Sequence, residues 1–248
     1  MNIMTRIDET IDKLRRLRLD NMADHLADAL DQEKDNNRGF LWLLDYLIET
    51  ENEARWKRAI ENRFRSSRLL DKFLLSDFDF KFHSSRQHHR SLLVRLFECD
   101  FIQDKKDIIF IGTPGTGKTR LAKTIAYQAC LKNNKVLFTT AIDMINQLIA
   151  AQADRSLLKK LKYYRAPSLL VCDELGFLSL DEQSSSLFFQ VLSARHDRVS
   201  TIVTTNLPFG RWGEIFQSTT IAQAIADRLV QNSEIILLEG PSYRQKNK

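Results

Sequence analysis

Gly112-Thr113-Pro114-Gly115-Thr116-Gly117-Lys118-Thr119 fits the pattern G-x-x-x-x-G-K-S/T, a loop whose residue types suit one task, the cradling of phosphate. Three of the chain's eight glycines fall here, where backbone amides must point at phosphate oxygens with no side chain in the way. Lys118 is expected to reach the β- and γ-phosphates and the Thr119 hydroxyl to ligate magnesium, with the following helix adding its positive dipole end. Arg120, next in sequence, is counted among the binding residues. Chance odds for such a match in a chain this long are about 1 in 100. Residues 168–174, Ser-Leu-Leu-Val-Cys-Asp-Glu, read as an apolar strand ending in two carboxylates. Asp173 is placed to hold the magnesium shell, and Glu174 to orient and deprotonate an attacking water. Residues 201–206 form another apolar strand with a polar end. Its Asn206 is either a contact for the γ-phosphate or the attacking water, or a turn former ahead of Leu207-Pro208. The Asn-Lys-x-Asp motif of GTP-binding switches is absent, so the expected nucleotide is ATP.

These residues need a scaffold of strands that end at one edge. Short apolar runs occur at 107–111, 135–139, 168–172, 200–205 and 234–238, with helical patterns between them. Runs apolar on both faces and separated by helices indicate a parallel sheet covered on each side, an α/β class. Upstream the pattern differs. Residues 1–70 hold one glycine and no proline, and their apolar positions recur at helical spacing, which predicts a small all-helical domain. Two of its helices are expected at 40–49 and 51–70, the latter basic. Ser76 to Phe82 alternates with period two, which predicts an extended connector with Phe78, Phe80 and Phe82 on one face. The domain reading is 1–75 helical, 76–83 connector and 84–248 nucleotide-binding.

Composition sets the bounds. The 248 residues are 43% hydrophobic and 28% charged, enough for a sizeable core. No apolar run approaches the ~20 residues of a membrane span, and the first fifteen residues lack a secretory core. Cys99, Cys130 and Cys172 lie far apart without metal-ligand spacing, which excludes a structural zinc site and a disulfide scaffold and points to free thiols in a cytoplasmic setting. Residues 1–100 carry 18 basic and 19 acidic side chains, whereas 101–248 carry 19 and 13, a surplus that fits an anionic partner.

Taken together, the chain resembles AAA+ ATPases, specifically the IstB-like helpers of bacterial transposition, relatives of the DnaC helicase loaders. The resemblance spans nearly the whole chain. It is carried by Asp77-Phe78-Asp79-Phe80, the phosphate loop, Phe138-Thr139-Thr140, Asn146-Gln147-Leu148-Ile149, Asp173-Glu174-Leu175-Gly176, Thr204 to Phe209, Trp212-Gly213-Glu214 and Ser242-Tyr243-Arg244. It implies a P-loop AAA+ core with a five-stranded parallel sheet between helices, and ATP bound with magnesium at subunit interfaces of a homo-oligomer. It also implies an arginine supplied by one subunit to its neighbour's γ-phosphate. Asp227-Arg228-Leu229, late on the helix 221–231, matches that motif and makes Arg228 the candidate. Arg244 is a candidate for a second sensing role, although no full C-terminal lid is expected in this chain.

Residues 154–166 carry Arg155, Lys159 and Lys162 at i, i+4 and i+7 on one helical stripe, widened by Lys160 and Arg165, with Leu157, Leu158 and Leu161 opposite. This is either a DNA-binding face or a solvated lysine face. The resemblance places it in the insertion with which initiator and loader ATPases grip nucleic acid. The basic stretch 55–68, interleaved with Trp56 and Phe64, binds DNA, touches a partner or packs. His83, His88 and His89 are expected at the surface.

The leading expectation is an ATP-dependent factor that assembles on duplex DNA and helps a cognate, IstA-like transposase with target selection and strand transfer. The alternative is a DnaC-like helicase loader acting on single-stranded DNA. A nucleotide-gated scaffold with little turnover is a weaker reading, because Lys118, Asp173 and Glu174 are all present, and a small-molecule kinase is the weakest, because of the Asp173-Glu174 pair and the arginine candidate Arg228.

Overall fold

The computed structural model describes residues 3–245. It forms two compact units, Met1–Asn62 and Arg63–Lys248. The division falls earlier than the expected limit at residue 75, and the last three residues of the expected nucleotide-binding domain lie outside the described residues.

The first unit is helical: α1 (Ile3–Arg16), α2 (Asp20–Asn36) and α3 (Phe40–Ser66), the last running past the unit's limit. Two helices were expected where α3 is one. No glycine or proline separates Ile48 from Asn52, so nothing interrupts the hydrogen-bond ladder. Leu26, Ala29, Leu43 and Leu47 form the core, with Ile7, Ile11 and Leu14 of α1 packed against it. Glu51 is buried and accepts the Asn21 and Met22 amides at 2.9 and 3.3 Å, satisfying the start of α2. It also pairs with Arg55 and Arg58, so part of the basic stretch is neutralised within the unit.

The second unit continues with α4 (Ser84–His88), α5 (Arg90–Phe97), α6 (Asp100–Gln103), β1 (Asp107–Gly112), α7 (Lys118–Leu131), β2 (Val136–Thr140), α8 (Ala141–Ala153) and α9 (Leu157–Arg165). It closes with β3 (Leu169–Leu175), α10 (Glu182–Arg195), β4 (Ser200–Thr205), α11 (Thr219–Gln231) and β5 (Ser233–Leu238). The strands pair in the order β2-β3-β4-β1-β5, all parallel. Side chains alternate between two cores. Ile109, Ile111, Leu170, Cys172 and Val203 face one, while Ile108, Phe110, Leu169, Val171 and Ile202 face the other. A sheet buried on both faces explains why its strands read as unbroken apolar runs. Thr140, Asp181 and Ser218 cap α8, α10 and α11 through their side chains, which fixes where each helix leaves its loop.

The connector is not extended as expected. It forms two short 3-10 turns, Leu75–Asp77 and Phe80–Phe82. The Asp77 carboxylate accepts the Leu74 amide at 3.1 Å and the Asp79 carboxylate accepts the Lys81 amide at 3.0 Å. The alternating aspartates are thus turn formers, and their side-chain bonds override the period-two pattern. Among the described residues no helix is long and apolar enough to cross a membrane.

Candidate nucleotide site

The carboxyl ends of β1, β3 and β4 meet at one edge, the place where parallel sheets bind ligands. Gly112 to Thr119 leaves β1 there and enters α7. Gly115 and Gly117 have φ of +85° and +105°, values that side chains rarely allow. Lys118 opens α7 and is 9% exposed; its ammonium donates to the Gly112 and Thr113 carbonyls at 2.6 and 2.9 Å. Burial lowers its pKa, Asp173 and Glu174 oppose the shift, and Arg244 adds to it.

The two carboxylates of β3 sit differently. Asp173 is buried and accepts from the Thr119 hydroxyl at 3.0 Å and the Thr204 hydroxyl at 2.5 Å. Between Cys172 and Leu175 the register with β4 shifts, and Glu174 takes φ +61°. This bulge turns Glu174 outward to an exposed position while Asp173 stays inside. The Glu174 amide donates to the Thr204 hydroxyl at 3.0 Å, so one threonine of the neighbouring strand fixes both residues.

Two cavities flank the loop. The larger, about 370 Å³, is lined by Lys118, Thr119 and Arg120 with connector residues on its far wall. The smaller, about 150 Å³, brings together Lys118, Thr119, Glu174, Asn206 and Arg244. Thr113 and Pro114 are exposed, Pro114 and Gly115 line the smaller cavity, and the Thr116 hydroxyl closes the turn onto the Thr113 carbonyl at 2.9 Å. The Arg120 guanidinium donates to the Asp77 carbonyl and lies over Phe73. The segment after β5 closes over the loop: Tyr243 donates its amide to the Gly115 carbonyl at 2.9 Å, and a Cβ on Gly115 would overlap Ser242.

Arg228 lines neither cavity. Its guanidinium lies over the Phe189 ring at 4.3 Å and donates to the Ser193 hydroxyl. The basic segment also departs from the expected stripe. Arg155 precedes α9 in a turn at φ +55°, and Leu158 is 84% exposed. Leu157 and Leu161 pack on the core and Tyr164 is fully buried, so the buried face runs i, i+4, i+7 from Leu157. That rotation leaves Lys159, Lys162 and Arg165 exposed, with Lys160 half-buried beside Gln147 and Tyr163. His83 caps α4 and His89 bonds the Leu237 carbonyl, which gives two of the three histidines local structural roles.

The sequence reading missed Thr204 and Arg86. Thr204 belonged to the polar strand end and to the stretch that carried the resemblance, with no role assigned to it; Arg86, buried near the loop, carried no sequence signal.

Comparison with known proteins fits this geometry. Residues 12–248 match the family described as IstB-like ATP binding protein. The chain is 36% identical over 233 residues to the ATP-binding protein named for insertion sequence IS5376 of Geobacillus stearothermophilus, covering 94% of this chain and 92% of the relative. It is 31% identical over 235 residues to its counterpart from IS21 of Pseudomonas aeruginosa, covering 95% and 88%. Among solved structures, a DnaC helicase loader superposes with a TM-score of 0.54 at 22% identity, covering 71% of this chain and 98% of that one. DnaA from Aquifex aeolicus, bound to AMPPCP, gives 0.59 at 18%, covering 73% and 54%. At these identities the two structures speak for the fold, a P-loop AAA+ arrangement of five parallel strands between helices. The match over nearly all of its length places the chain in the IstB-like ATP-binding protein family.

Proposed function

We propose that the chain binds ATP with magnesium across the two cavities, hydrolyses it in a homo-oligomer assembled on duplex DNA, and in that form serves a cognate transposase. The observation that carries the hydrolytic part is the shared anchoring of Thr119, Asp173 and Glu174. A hydroxyl and a buried carboxylate lie 3.0 Å apart beside the loop, and a second carboxylate is turned out of a bulge into the cleft that Lys118 and Asn206 also line. Two hard oxygen donors suit magnesium, which Thr119 and Asp173 would hold and which would neutralise charge on the phosphate oxygens. Lys118 would exchange its carbonyl partners for β- and γ-phosphate oxygens. Glu174 would orient the attacking water and accept its proton, with Asn206 as a second polar contact. Arg228, which lines neither loop cavity, would serve a neighbouring copy's γ-phosphate. Lys159, Lys162 and Arg165, aided by Lys160 and Arg155, would meet DNA phosphates.

The test is ATP hydrolysis with no DNA, duplex or single strands over a salt series, with Lys118→Ala and Glu174→Gln as controls. Stimulation by duplex that is lost in both variants and weakened by salt supports the proposal. Stimulation by single strands alone would place the chain with the helicase loaders, and no turnover under any condition would remove Glu174 as the base.

A further inference from the structure

The larger cavity has a cation in its wall that phosphate chemistry does not call for. Arg86, in α4, is 3% exposed, and its guanidinium ties together separate stretches of chain. Nη1 donates to the Asp79 carbonyl of the connector at 3.0 Å, and Nη2 donates to the Thr116 carbonyl of the phosphate loop at 2.9 Å. Phe78 and Phe82 lie 4.7 Å from it and Tyr243 of the closing segment 5.0 Å, so ring faces replace much of its lost hydration. The packing reaches the loop itself: a Cβ on Gly117 would come within 3.1 Å of Phe78 and 3.2 Å of Arg86.

The bond to Thr116 has a direct chemical consequence. The Thr116 carbonyl and the Gly117 N–H belong to one planar trans peptide, in which they point in opposite directions. A cation that holds the carbonyl on one side therefore aims the N–H to the other. It also polarises the amide, which makes that N–H a stronger donor to an anion. Loop amides of this kind are the groups that hold phosphate. A lysine could supply the charge but not the planar fork that reaches two carbonyls at once.

We propose that Arg86 is a positioning residue of the nucleotide site. It sets the Thr116–Gly117 peptide for phosphate and links that peptide to the connector, so that nucleotide binding stiffens residues 78–82. The inference rests on the reading of the loop as an ATP site. The experiment uses the full chain, Arg86→Met and Arg86→Lys, and reads steady-state kinetics, titration with a fluorescent ATP analogue, and hydrogen exchange of residues 78–82 with and without ATP. Arg86→Met is expected to raise KM and Kd about tenfold with kcat changed less than about twofold, as loss of a charged hydrogen bond in binding predicts. Arg86→Lys should fall between, at about threefold. ATP-dependent protection of 78–82, present in the wild type, should vanish in Arg86→Met. A folded Arg86→Met with wild-type KM and wild-type protection would overturn the proposal. Should that variant fail to fold, Arg86→Lys decides on the same two readings. A wild-type chain that binds no nucleotide would instead overturn the ATP reading itself, and this inference with it.

Discussion

Thr204 accepts the Glu174 amide and donates to Asp173, so replacing its hydroxyl disturbs two carboxylates through one atom. Thr204→Val would leave the Glu174 N–H without that acceptor and Asp173 with one hydroxyl donor fewer, a loss of about 1–3 kcal/mol in stability. Because the loop and Lys118 are untouched, ATP affinity should stay within about twofold while kcat falls about tenfold, and Thr204→Ser should restore most of it. Single-turnover hydrolysis beside equilibrium binding separates the two effects. A second residue-scale expectation concerns Asp107 at the start of β1. Burial pushes its carboxyl from the ordinary range up to about 7, against the pull of the Thr201 amide at 2.6 Å and of Arg195. A carboxyl with a raised folded-state pKa favours the folded state most when it is protonated. That contribution is complete below about pH 4 and is lost as pH rises through about 7. Asp107→Asn keeps an acceptor for Thr201 but cannot ionise. Melting temperatures from pH 5 to 8 should therefore decline less steeply in the variant than in the wild type; parallel curves would show that Asp107 does not titrate in this window.

Helix α9 shows how one element is both anchored and left free to bind. Arg195, 1% exposed, donates to the Tyr164 and Pro167 carbonyls at 2.8 and 3.1 Å and to the Ser200 carbonyl, locking the helix's end to the start of β4. With one face fixed by Leu157, Leu161 and Tyr164, Lys159 and Lys162 face solvent. If they meet DNA phosphates, Lys159→Ala with Lys162→Ala should lower the slope of log affinity against log salt by about 2, with little change in sequence preference. Arg155→Ala, outside the helix, should do less. An unchanged slope in a duplex-binding titration would move the DNA contact elsewhere. The same helix marks the limits of sequence reading. Its spacing placed the lysines on a helix, yet three leucines in a row of five residues did not reveal that Leu158 faces out, because tertiary contacts decide a helix's rotation. The strands were legible within a residue or two, except that β3 runs on to Leu175. The bulge that extends it depends on pairing with β4, a partner distant in sequence. Likewise the aspartates of the connector looked like strand alternation, since a carboxylate that bonds back to the start of a 3-10 turn (Asp77) and one that opens the next turn (Asp79) fall at the same spacing as alternate strand positions.

At the scale of the molecule, the question is how a chain whose loop cavities lack its own Arg228 completes a transition state. Lys118, Asp173, Glu174 and Asn206 gather at the carboxyl edge of the sheet. Arg228 is held over Phe189 and Ser193 on the α10–α11 side. A half-buried guanidinium seated on a ring has already lost much of its freedom, which lowers the entropy cost of presenting it to a second copy. Phosphate and carboxylate recognition on one copy and arginine on another would make turnover depend on assembly, the logic of an arginine supplied in trans. This yields a prediction that neither variant gives alone. Arg228→Ala keeps an intact loop and base, while Glu174→Gln keeps an intact arginine, and each by itself should be reduced at least about a hundredfold in kcat. Mixed in equal amounts before assembly, they should recover about a quarter of wild-type activity, because random pairing places a Glu174-bearing site against an Arg228-bearing neighbour at one interface in four. Recovery must grow with total protein concentration and disappear under dilution. A mixture no more active than its parts would return Arg228 to a structural role on α11, and the Phe189 and Ser193 contacts would then be read as packing.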